Sequence, residues 1–331
     1  MISRLAGWQD AQAASTESRL SLAPTLGQYV ARLEARGLGC ALAAEGTEAW
    51  VPGARSELQR LPLECTAEPD PALLRRLLSR PGVWVVSYQQ QGRESHPANC
   101  VLYICRDPSY SIDTLSRNGR RDVRRGQRNF TVRPCSWSEL AAKGFRAQAD
   151  TAIRHGYSLP SPAEFERGVR RLQDCSCSQV WGAWNRDELA AWISVVRIED
   201  WALINIARSC TAVLTLCPNN ALLFAATRQL LVEEKRRHVT YGLSSIQISA
   251  RDMSMHSYKG RMGYEAVPLH RRFVVHPLLR GAVSARFMSW WWDRLARVFP
   301  HREGLRKLAG MSRLLSGRDH TPLRWLEESP H

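Results

Sequence analysis

The stretch MHSYKGRMGYEAVP, residues 255–268, carries signals for a helix and then for a strand. Its first half holds the Tyr258–Lys259 pair in a polar context typical of a short helix, and Gly263 is a common type of helix stop. Aromatic and β-branched residues follow over 264–267, which favours an extended conformation. The stretch therefore predicts a short helix, a glycine stop and a returning strand, with a lysine close to glycines where backbone and ligand can approach each other.

The residues that precede this stretch predict a meander of strands and a long helix. Three runs rich in apolar and β-branched residues are separated by tight polar turns, which is the pattern of antiparallel strands. A long helical segment then begins with Pro218 and the Asn219–Asn220 pair and ends in cations, as the helix dipole favours. The strands are 178–184, 189–198 and 201–209, the helix is 217–238 with its cations at 235–238, and a short strand at 239–244 leads into the opening stretch.

Helices and strands also alternate between residues 24 and 175. Pro71 and the Pro81–Gly82 pair mark the two ends of one helix. Ser136 with Glu139 forms a capping-box pattern at the start of another, with Ser138 as the alternative cap. The predicted helices are 24–37, 69–82, 136–156 and 161–175, and the predicted strands are two within 83–107 and one at 130–135. This order predicts an α+β fold.

The chain is long enough for more than one domain. Its 331 residues exceed the ~100–200 that are usual for a single domain. We predict four regions: a flexible N-terminus over 1–23, an N-terminal α/β domain over 24–114, a C-terminal domain over 115–277, and a basic, tryptophan-rich helical tail over 278–331.

The composition favours negatively charged partners. Lys and Arg number 46 against 31 Asp and Glu, giving a formal net charge of +15 and a pI near 9.9. Such an excess suits nucleic acid, phosphorylated cofactors or an anionic membrane face. The nine cysteines lack the paired spacing of a metal site, so we predict reduced thiols and no metal. No apolar run is long enough for a signal peptide or a membrane span, which predicts a cytoplasmic protein that can also sit at the inner membrane face.

The order of elements, together with the opening stretch, resembles the GNAT acyltransferase fold, and within it the FemAB-like and BioF2-like acetyltransferase-domain proteins. Tyr258–Lys259, Gly263 and the strand to Pro268 match the helix, glycine stop and returning strand that close this fold. LSRNGRRDVRRGQRNFTVR, residues 115–133, resembles the basic helix and first strand at the entry to its C-terminal domain. The resemblance covers residues 115–275 and implies a GNAT-like mixed sheet flanked by helices, with the N-terminal part as a degenerate second copy.

The resemblance also implies an acyltransferase that takes its acyl group from acetyl-CoA or another acyl-CoA. Two departures bear on the donor. SCTAVLTLCPNN, residues 209–220, lacks the glycine-rich turn of the family, and Lys259 occupies the slot, four residues before the terminal glycine, where many acetyltransferases hold a tyrosine. Both departures fit the Fem-like branch, for which aminoacyl-tRNA is the alternative donor.

The start of the long helix is the candidate site for the donor. The N–H groups of Asn219, Asn220 and Ala221 could receive a pyrophosphate, because helix N-termini attract anions. Every helix begins with such groups, so an ordinary helix cap is the alternative.

Lys259, His256 and Tyr258 are the candidates for the chemical step. Lys259 could stabilise a departing anion or hold a phosphate, with a solvated cationic turn as the alternative. His256 has an unperturbed pKa near ~6.5 and could transfer a proton at neutral pH, or merely cap the short helix. Tyr258 stands about 100° around the helix from the slot of Lys259, so it cannot simply replace the tyrosine that many acetyltransferases hold there. Arg261 could bind a phosphate or a substrate carboxylate.

Residues 115–133 are also dense in arginine. Because such a run is more than an ordinary solvated face, we assign Arg124 and Arg125 to substrate binding, where they could hold an anionic saccharide or lipid acceptor, or a tRNA backbone. A structural element of the family is the alternative. The segment has seven arginines against one acid, Asp122: Arg117, Arg120, Arg121, Arg124, Arg125, Arg128 and Arg133.

The tail mixes three adjacent tryptophans, Trp290, Trp291 and Trp292, with several arginines. A basic, aromatic helix of this kind can lie in a membrane interface, whereas packing of the tryptophans within the protein is the alternative.

Together these features predict a direct acyl transfer to an amine or hydroxyl of a small-molecule, saccharide, lipid or peptide acceptor. No Cys or Ser lies in a nucleophile motif such as G-x-S-x-G, which argues against a covalent intermediate. Two alternatives stay open: a tRNA-dependent aminoacyltransferase of Fem type, and a non-catalytic GNAT-fold binding protein for nucleic acid or membrane.

Overall fold

The computed structural model describes residues 24–42, 45–53, 56–173, 177–244, 250–284, 286–299 and 302–316. The chain forms two compact units. Unit 1 comprises the chain up to Tyr29, Cys105–Gln148 and Ser161–Thr240, and unit 2 comprises Val30–Ile104, Ala149–Pro160 and the chain from Tyr241 onward. The flexible N-terminus predicted over 1–23 lies outside the described residues, and the predicted domain boundaries stay a prediction.

The helices and strands largely follow the predicted order. The helices are α1 (Leu26–Glu34), α2 (Pro71–Leu78), α3 (Arg117–Asn129), α4 (Trp137–Lys143), α5 (Phe145–His155), α6 (Pro162–Gln173), α7 (Pro218–Arg228), α8 (Ala250–Arg261), α9 (Pro277–Ser284), α10 (Arg286–Val298) and α11 (Glu303–Leu315). The strands are β1 (Ala41–Leu42), β2 (Ala49–Pro52), β3 (Glu57–Leu61), β4 (Val85–Gln91), β5 (Cys100–Cys105), β6 (Thr131–Cys135), β7 (Ser178–Asn185), β8 (Glu188–Ile198), β9 (Trp201–Ser209), β10 (His238–Leu243) and β11 (Glu265–Val275).

Unit 1 contains the predicted meander. Its strands lie in the order β10, β9, β8, β7, β6, with antiparallel pairing everywhere except between β9 and β10, which are parallel. The core between these strands and α4 to α6 is built from large side chains such as Leu140, Phe165, Trp184 and Trp192. Trp192 Nε1 donates to the Gly144 carbonyl at 3.1 Å, so the indole N–H that this core buries is satisfied.

Unit 2 contains six further strands of mixed direction, in the order β1, β2, β3, β4, β11, β5. β11 is a single long strand, as the returning strand after Gly263 predicts. Its residues 265–269 pair with β5 and its residues 269–275 pair with β4, both antiparallel. The core of this unit includes Trp50, Leu77 and Tyr88. The prediction of an α+β fold with mixed sheet and flanking helices is confirmed.

One connection occurs in both units. In unit 1 the antiparallel strands β7, β8 and β9 lead through α7 to β10, which is parallel to β9. In unit 2 the antiparallel strands β1, β2 and β3 lead through α2 to β4, which is parallel to β3. This repeated connection agrees with the degenerate N-terminal copy expected from the resemblance.

The long helix ends earlier than predicted. The α-helical part, α7, ends at Arg228, and the chain then forms a π-helical turn over Gln229–Glu233. Among the cations expected at its end, Arg236 is only 4% exposed and pairs with Glu234 at 3.0 Å. The prediction that the helix extends through its cations at 235–238 is therefore wrong, because Lys235 has a left-handed φ of 53°, which ends the helix before them.

The C-terminal tail forms three helices in unit 2. Ser312 Oγ of α11 donates to the Val283 carbonyl of α9 at 2.6 Å, and Trp292 Nε1 of α10 donates to the Ala282 carbonyl at 3.0 Å. The predicted helical structure of the tail is found as far as Leu315, and residues 317–331 lie outside the described part.

Two further sequence predictions can be compared with the described residues. None of the helices in the described ranges is long and apolar enough to cross a membrane. Seven of the described cysteines are free thiols, but Cys177 is disulfide-bonded, so the prediction of reduced thiols throughout is wrong at this residue.

Candidate functional site

β9 and β10 pair only at their first residues. Their register contains three pairs, from Trp201–His238 to Leu203–Thr240. Soon after, Gly242 of β10 has a φ of 71°, a backbone conformation that turns the strand and that glycine adopts readily. β9 continues to Ser209, and a β-bulge against β8 adds to its twist. The second half of β9 therefore extends beyond its pairing with β10.

A helix N-terminus follows the end of β9. Cys217, the cap of α7, has a left-handed φ of 60°. Asn219 Nδ2 donates to Ser209 Oγ at 3.1 Å, which ties the start of α7 to the end of β9. Asn219 and Asn220 are half-buried, whereas Ala221 is buried and its N–H lies 3.4 Å from the Cys217 carbonyl. The structure thus brings the three predicted donor-binding residues to the end of β9, with the two asparagines as the accessible ones.

α3 packs against the start of α7 through small residues. Gly119, Val123 and Gly126 are its buried residues. A methyl group at Gly126 would lie 2.4 Å from the Cys217 carbonyl oxygen and 2.8 Å from Ala221 Cβ. Only glycine permits so close an approach of the two helices. The helix with the predicted substrate-binding arginines is therefore fixed against the helix start with the predicted donor-binding residues.

The exposed arginines of α3 lie opposite its buried residues. Successive helical residues are about 100° apart, which brings these arginines onto one side of the helix. Ser116 caps the helix by accepting from the Gly119 N–H at 3.1 Å, and the one acid, Asp122, pairs with Arg121 at 3.1 Å. We call this set the arginine face, and it consists of Arg117, Arg121, Arg124, Arg125 and Arg128.

In unit 2, α8 presents His256 and Lys259 on its buried side. Each of the two residues is only 7% exposed. Lys259 Nζ donates to the Tyr241 carbonyl at 3.0 Å, and it lies 4.0 Å from the ring centroid of Tyr103 and 4.6 Å from that of Tyr241. His256 Nδ1 and the Tyr103 hydroxyl share a hydrogen bond of 3.0 Å. We call these four residues the tyrosine–lysine cluster.

The electrostatics of this cluster are set by burial. Burial lowers the pKa of His256 below its ordinary value of 6.5, and the charge of Lys259 lowers it further. The imidazole is therefore neutral at neutral pH and can accept a proton. Two ring faces and a carbonyl surround the ammonium of Lys259, and these groups stabilise a desolvated cation. The alternative of a solvated cationic turn does not describe this buried lysine.

The other candidates on α8 lie outside the tyrosine–lysine cluster. Tyr258 is half-buried, and Arg261 is half-buried with its Nε donating to the Ser257 carbonyl at 3.3 Å. Gly263 has a φ of 81° just after α8, so the predicted glycine stop is present. The structure groups His256 with Lys259 and leaves Tyr258 and Arg261 on other parts of the helix surface.

Sequence analysis did not identify Tyr103 or Tyr241 as site residues. Tyr103 lies on β5 and stands 153 positions from its partner His256, so no local pattern connects the two. The available signal was a tyrosine within the apolar strand Cys100–Cys105, because a buried phenol requires a hydrogen-bond partner. That signal could have marked Tyr103 without naming His256.

Among the residues that the structure describes, no group of three or more His, Cys, Asp or Glu side chains is placed to hold a metal ion.

Comparison with known proteins gives similarity of structure without similarity of sequence. No family model matches the chain, and no curated protein matches it. Among solved structures, a C-terminal domain described as that of a lysylphosphatidylglycerol synthetase from Agrobacterium fabrum has a TM-score of 0.51 and 13% identity, covering 80% of this chain and 92% of that one. FemX also has a TM-score of 0.51, with 9% identity, covering 77% of this chain and 92% of that one.

Identities this low establish the fold alone. The likeness extends over more than three quarters of this chain in both cases. The chain therefore has a GNAT-like α+β fold, like that of these two structures.

Proposed function

We propose that the protein is an acyltransferase that passes an acyl group directly from acyl-CoA to an amine or hydroxyl. The observation that supports this most strongly is the separation of β9 from β10, with the start of α7 tied to the end of β9 by the hydrogen bond from Asn219 to Ser209. The backbone of β9 over residues 204–207 runs past the pairing with β10. An extended donor rich in amides can add to such a strand edge by backbone hydrogen bonds.

The start of α7 suits the charged part of the same donor. The positive end of the helix dipole and the N–H groups around Asn219 and Asn220 favour a pyrophosphate. The arginine face on the adjoining helix α3 adds positive charge to this side of unit 1. We propose that Arg124 and Arg125 in unit 1 bind anionic groups of donor or acceptor. For Arg261 in unit 2 we propose, by itself, the binding of a phosphate or a substrate carboxylate.

The chemical step needs little from the protein besides proton transfer and charge stabilisation. The acceptor nitrogen or oxygen attacks the thioester carbonyl, a bond from carbon to the acceptor forms, and the carbon–sulfur bond breaks. A base takes the acceptor proton and the departing thiolate gains one. We propose His256, neutral and hydrogen-bonded to Tyr103, as the proton-accepting group, and Lys259 as the residue that positions this pair. Tyr258 lies on another part of the helix surface and has no role in this step, so the thiolate takes its proton from solvent.

The acceptor is proposed only as a class: a small molecule, saccharide, lipid or peptide with a free amine or hydroxyl. We also propose that the protein acts in the cytoplasm, where acyl-CoA is available, and that it contacts the inner membrane face peripherally.

Coenzyme A binding is tested with one isosteric variant. A ligand at about a hundred times its dissociation constant raises the free energy of unfolding by about 2.7 kcal/mol, so CoA is expected to raise the thermal midpoint of the wild type. Asn220→Asp places a negative charge where pyrophosphate would bind, and it is expected to weaken CoA binding at least about tenfold. Without ligand the same change suits the helix dipole and should stabilise the fold by about 0.3–1 kcal/mol.

Asn220→Asp is expected to weaken CoA binding and to stabilise the ligand-free protein. These opposite effects distinguish a ligand site from an ordinary helix cap. A cap alone predicts that Asn220→Asp is more stable and that CoA shifts both proteins equally or not at all. Either of those results would remove the acyl-CoA donor from the proposal.

The arginine face supports a second candidate function, the transfer of an aminoacyl group from tRNA. Five exposed arginines lie on one side of a helix with a single paired acid. Such a surface can follow a phosphate backbone. One of the similar structures is described as part of a lysylphosphatidylglycerol synthetase, whose product carries an amino acid.

Salt dependence tests this second candidate. We expect tRNA affinity to fall steeply with salt, and Arg124→Gln with Arg125→Gln to reduce the slope of log affinity against log salt by roughly 1.5. Arg75→Gln with Arg76→Gln is the matched control, because these two adjacent arginines are also exposed on a helix. If both double variants lose the same affinity, the binding reflects net charge and gives no support to a tRNA donor.

A further inference from the structure

The C-terminal helices of unit 2 expose an apolar surface. Single exposed apolar side chains are ordinary on proteins, but a contiguous group marks a site of interaction. Trp291 contacts both Phe287 and Trp290, with ring centroids 6.2 and 5.2 Å apart. We call the exposed apolar side chains on and directly after α10 the aromatic face, and they are Phe287, 66% exposed, Trp290, 45%, Trp291, 42%, Val298, 61%, and Phe299, 48%.

Helix α10 is already held firmly on its other side. Ser289 is fully buried, Asp293 pairs with Arg313 of α11 at 3.2 Å, and Trp292 donates to the Ala282 carbonyl. Phe287, Trp291 and Val298 follow one another at helical spacings of four and seven residues and therefore share a side of α10. The exposed apolar side chains therefore belong to a helix that is packed on one side and carries an apolar stripe on its outward side.

Arginines accompany the aromatic side chains. Arg294 lies on the same stripe, with its guanidinium 5.6 Å from the ring centroid of Trp290. Arg297 is exposed one turn from Arg294. The one acid of α10, Asp293, is turned to its partner Arg313. The outward side of α10 therefore combines apolar and aromatic groups with positive charge.

We propose that the aromatic face docks the protein on an anionic lipid surface. Tryptophan favours the boundary between lipid headgroups and acyl chains, and arginine beside it can bind lipid phosphates. A second copy of the chain suits this face less well, because a two-fold contact would bring Arg294 and Arg297 against their own copies. The inference rests on the peripheral membrane contact proposed above, for which it names the surface, and it holds whichever acyl donor the protein uses.

Vesicle sedimentation tests the proposal on the full chain. We expect binding to vesicles of phosphatidylcholine mixed with phosphatidylserine, and binding about tenfold weaker after Phe287→Ser with Trp291→Ser. Ile153→Ser is the control, because Ile153 is 71% exposed on α5 and lies outside the aromatic face. Arg294→Gln with Arg297→Gln is expected to lose about fivefold in affinity per arginine on anionic vesicles and little on phosphatidylcholine alone.

A second measurement does not depend on a variant. Vesicles with brominated acyl chains should quench part of the wild-type tryptophan fluorescence, because Trp290 and Trp291 would enter the interface. The proposal is overturned if the wild type fails to sediment or to be quenched, or if Phe287→Ser with Trp291→Ser sediments like Ile153→Ser. It is overturned as well if light scattering shows a dimer that the same double variant dissociates, since the face would then join two copies.

Discussion

Gly126→Ala is expected to destabilise the protein by about 2–3 kcal/mol, because the contact between α3 and α7 has no space for a methyl group. The added carbon would lie 2.4 Å from the Cys217 carbonyl oxygen and 2.8 Å from Ala221 Cβ. Neither atom belongs to a flexible side chain that can turn away. Alanine is the better helix former by about 1 kcal/mol, so the clash has to exceed this gain.

Urea unfolding measures the effect, with Gly168→Ala as the matched control. Gly168 lies inside α6 and has open space around the position of a Cβ. The same substitution there is expected to stabilise the protein by about 0.5–1 kcal/mol. Equal changes at both glycines would contradict the close helix contact described for α3 and α7.

The substitution also bears on the donor site. A folded Gly126→Ala protein has to displace the backbone of Cys217 and Ala221, which form the start of α7. The stabilisation by CoA is therefore expected to be smaller in Gly126→Ala than in Gly168→Ala. Full retention of the CoA effect would place the donor elsewhere.

Features that depend on neighbouring residues could be predicted from the sequence. The capping box of Ser136 and Glu139 is present, with the Glu139 N–H donating to Ser136 Oγ at 3.2 Å and the Ser136 N–H to Glu139 Oε2 at 2.8 Å. The meander of β7, β8 and β9 and the stop at Gly263 also follow local rules of turns and left-handed residues. These rules need no knowledge of the rest of the chain.

Features that depend on distant partners could not be predicted. The sequence placed β11 after α8 but gave no sign that it would lie between β4 and β5. The helical pattern also predicted that the long helix runs through Arg236. No local sequence pattern indicates the ion pair that Arg236 forms with Glu234 outside the helix. Likewise, the sequence shows Gly126 only as one residue of a basic helix, because its close approach to Cys217 depends on the tertiary structure.

The tyrosine–lysine cluster depends both on neighbouring residues and on distant partners. His256 and Lys259 are three residues apart, so a helix over this stretch already implied that they share a side. Their burial and their contacts with Tyr103 and Tyr241 come from β5 and β10, and therefore from the tertiary structure. The residue types of the site were thus predictable, whereas the role of the lysine was not.

Lys259→Ala is expected to destabilise the protein by about 3 kcal/mol, because it removes a buried four-carbon stem and a cation held by two rings and a carbonyl. Lys259→Met keeps most of the stem. It loses the favourable contacts of the ammonium together with its desolvation cost, so about half of the alanine effect is expected. Arg261→Ala on the same helix, where the arginine is half-exposed, should change stability by less than about 0.5 kcal/mol. A Lys259→Ala protein as stable as Arg261→Ala would contradict the buried position of the lysine.

The same methionine variant tests whether Lys259 positions and tunes His256. The charge of Lys259 is one cause of the lowered pKa of His256, the other and larger cause being burial. Removing that charge while keeping the bulk should raise the pKa of His256 toward its ordinary value, which NMR titration of the imidazole measures. If His256 accepts the acceptor proton, the acidic limb of the pH–rate profile has to move upward by the same amount, because the neutral imidazole would then exist only at higher pH. A raised pKa with an unmoved pH–rate profile would leave Lys259 with its structural role and require a different base.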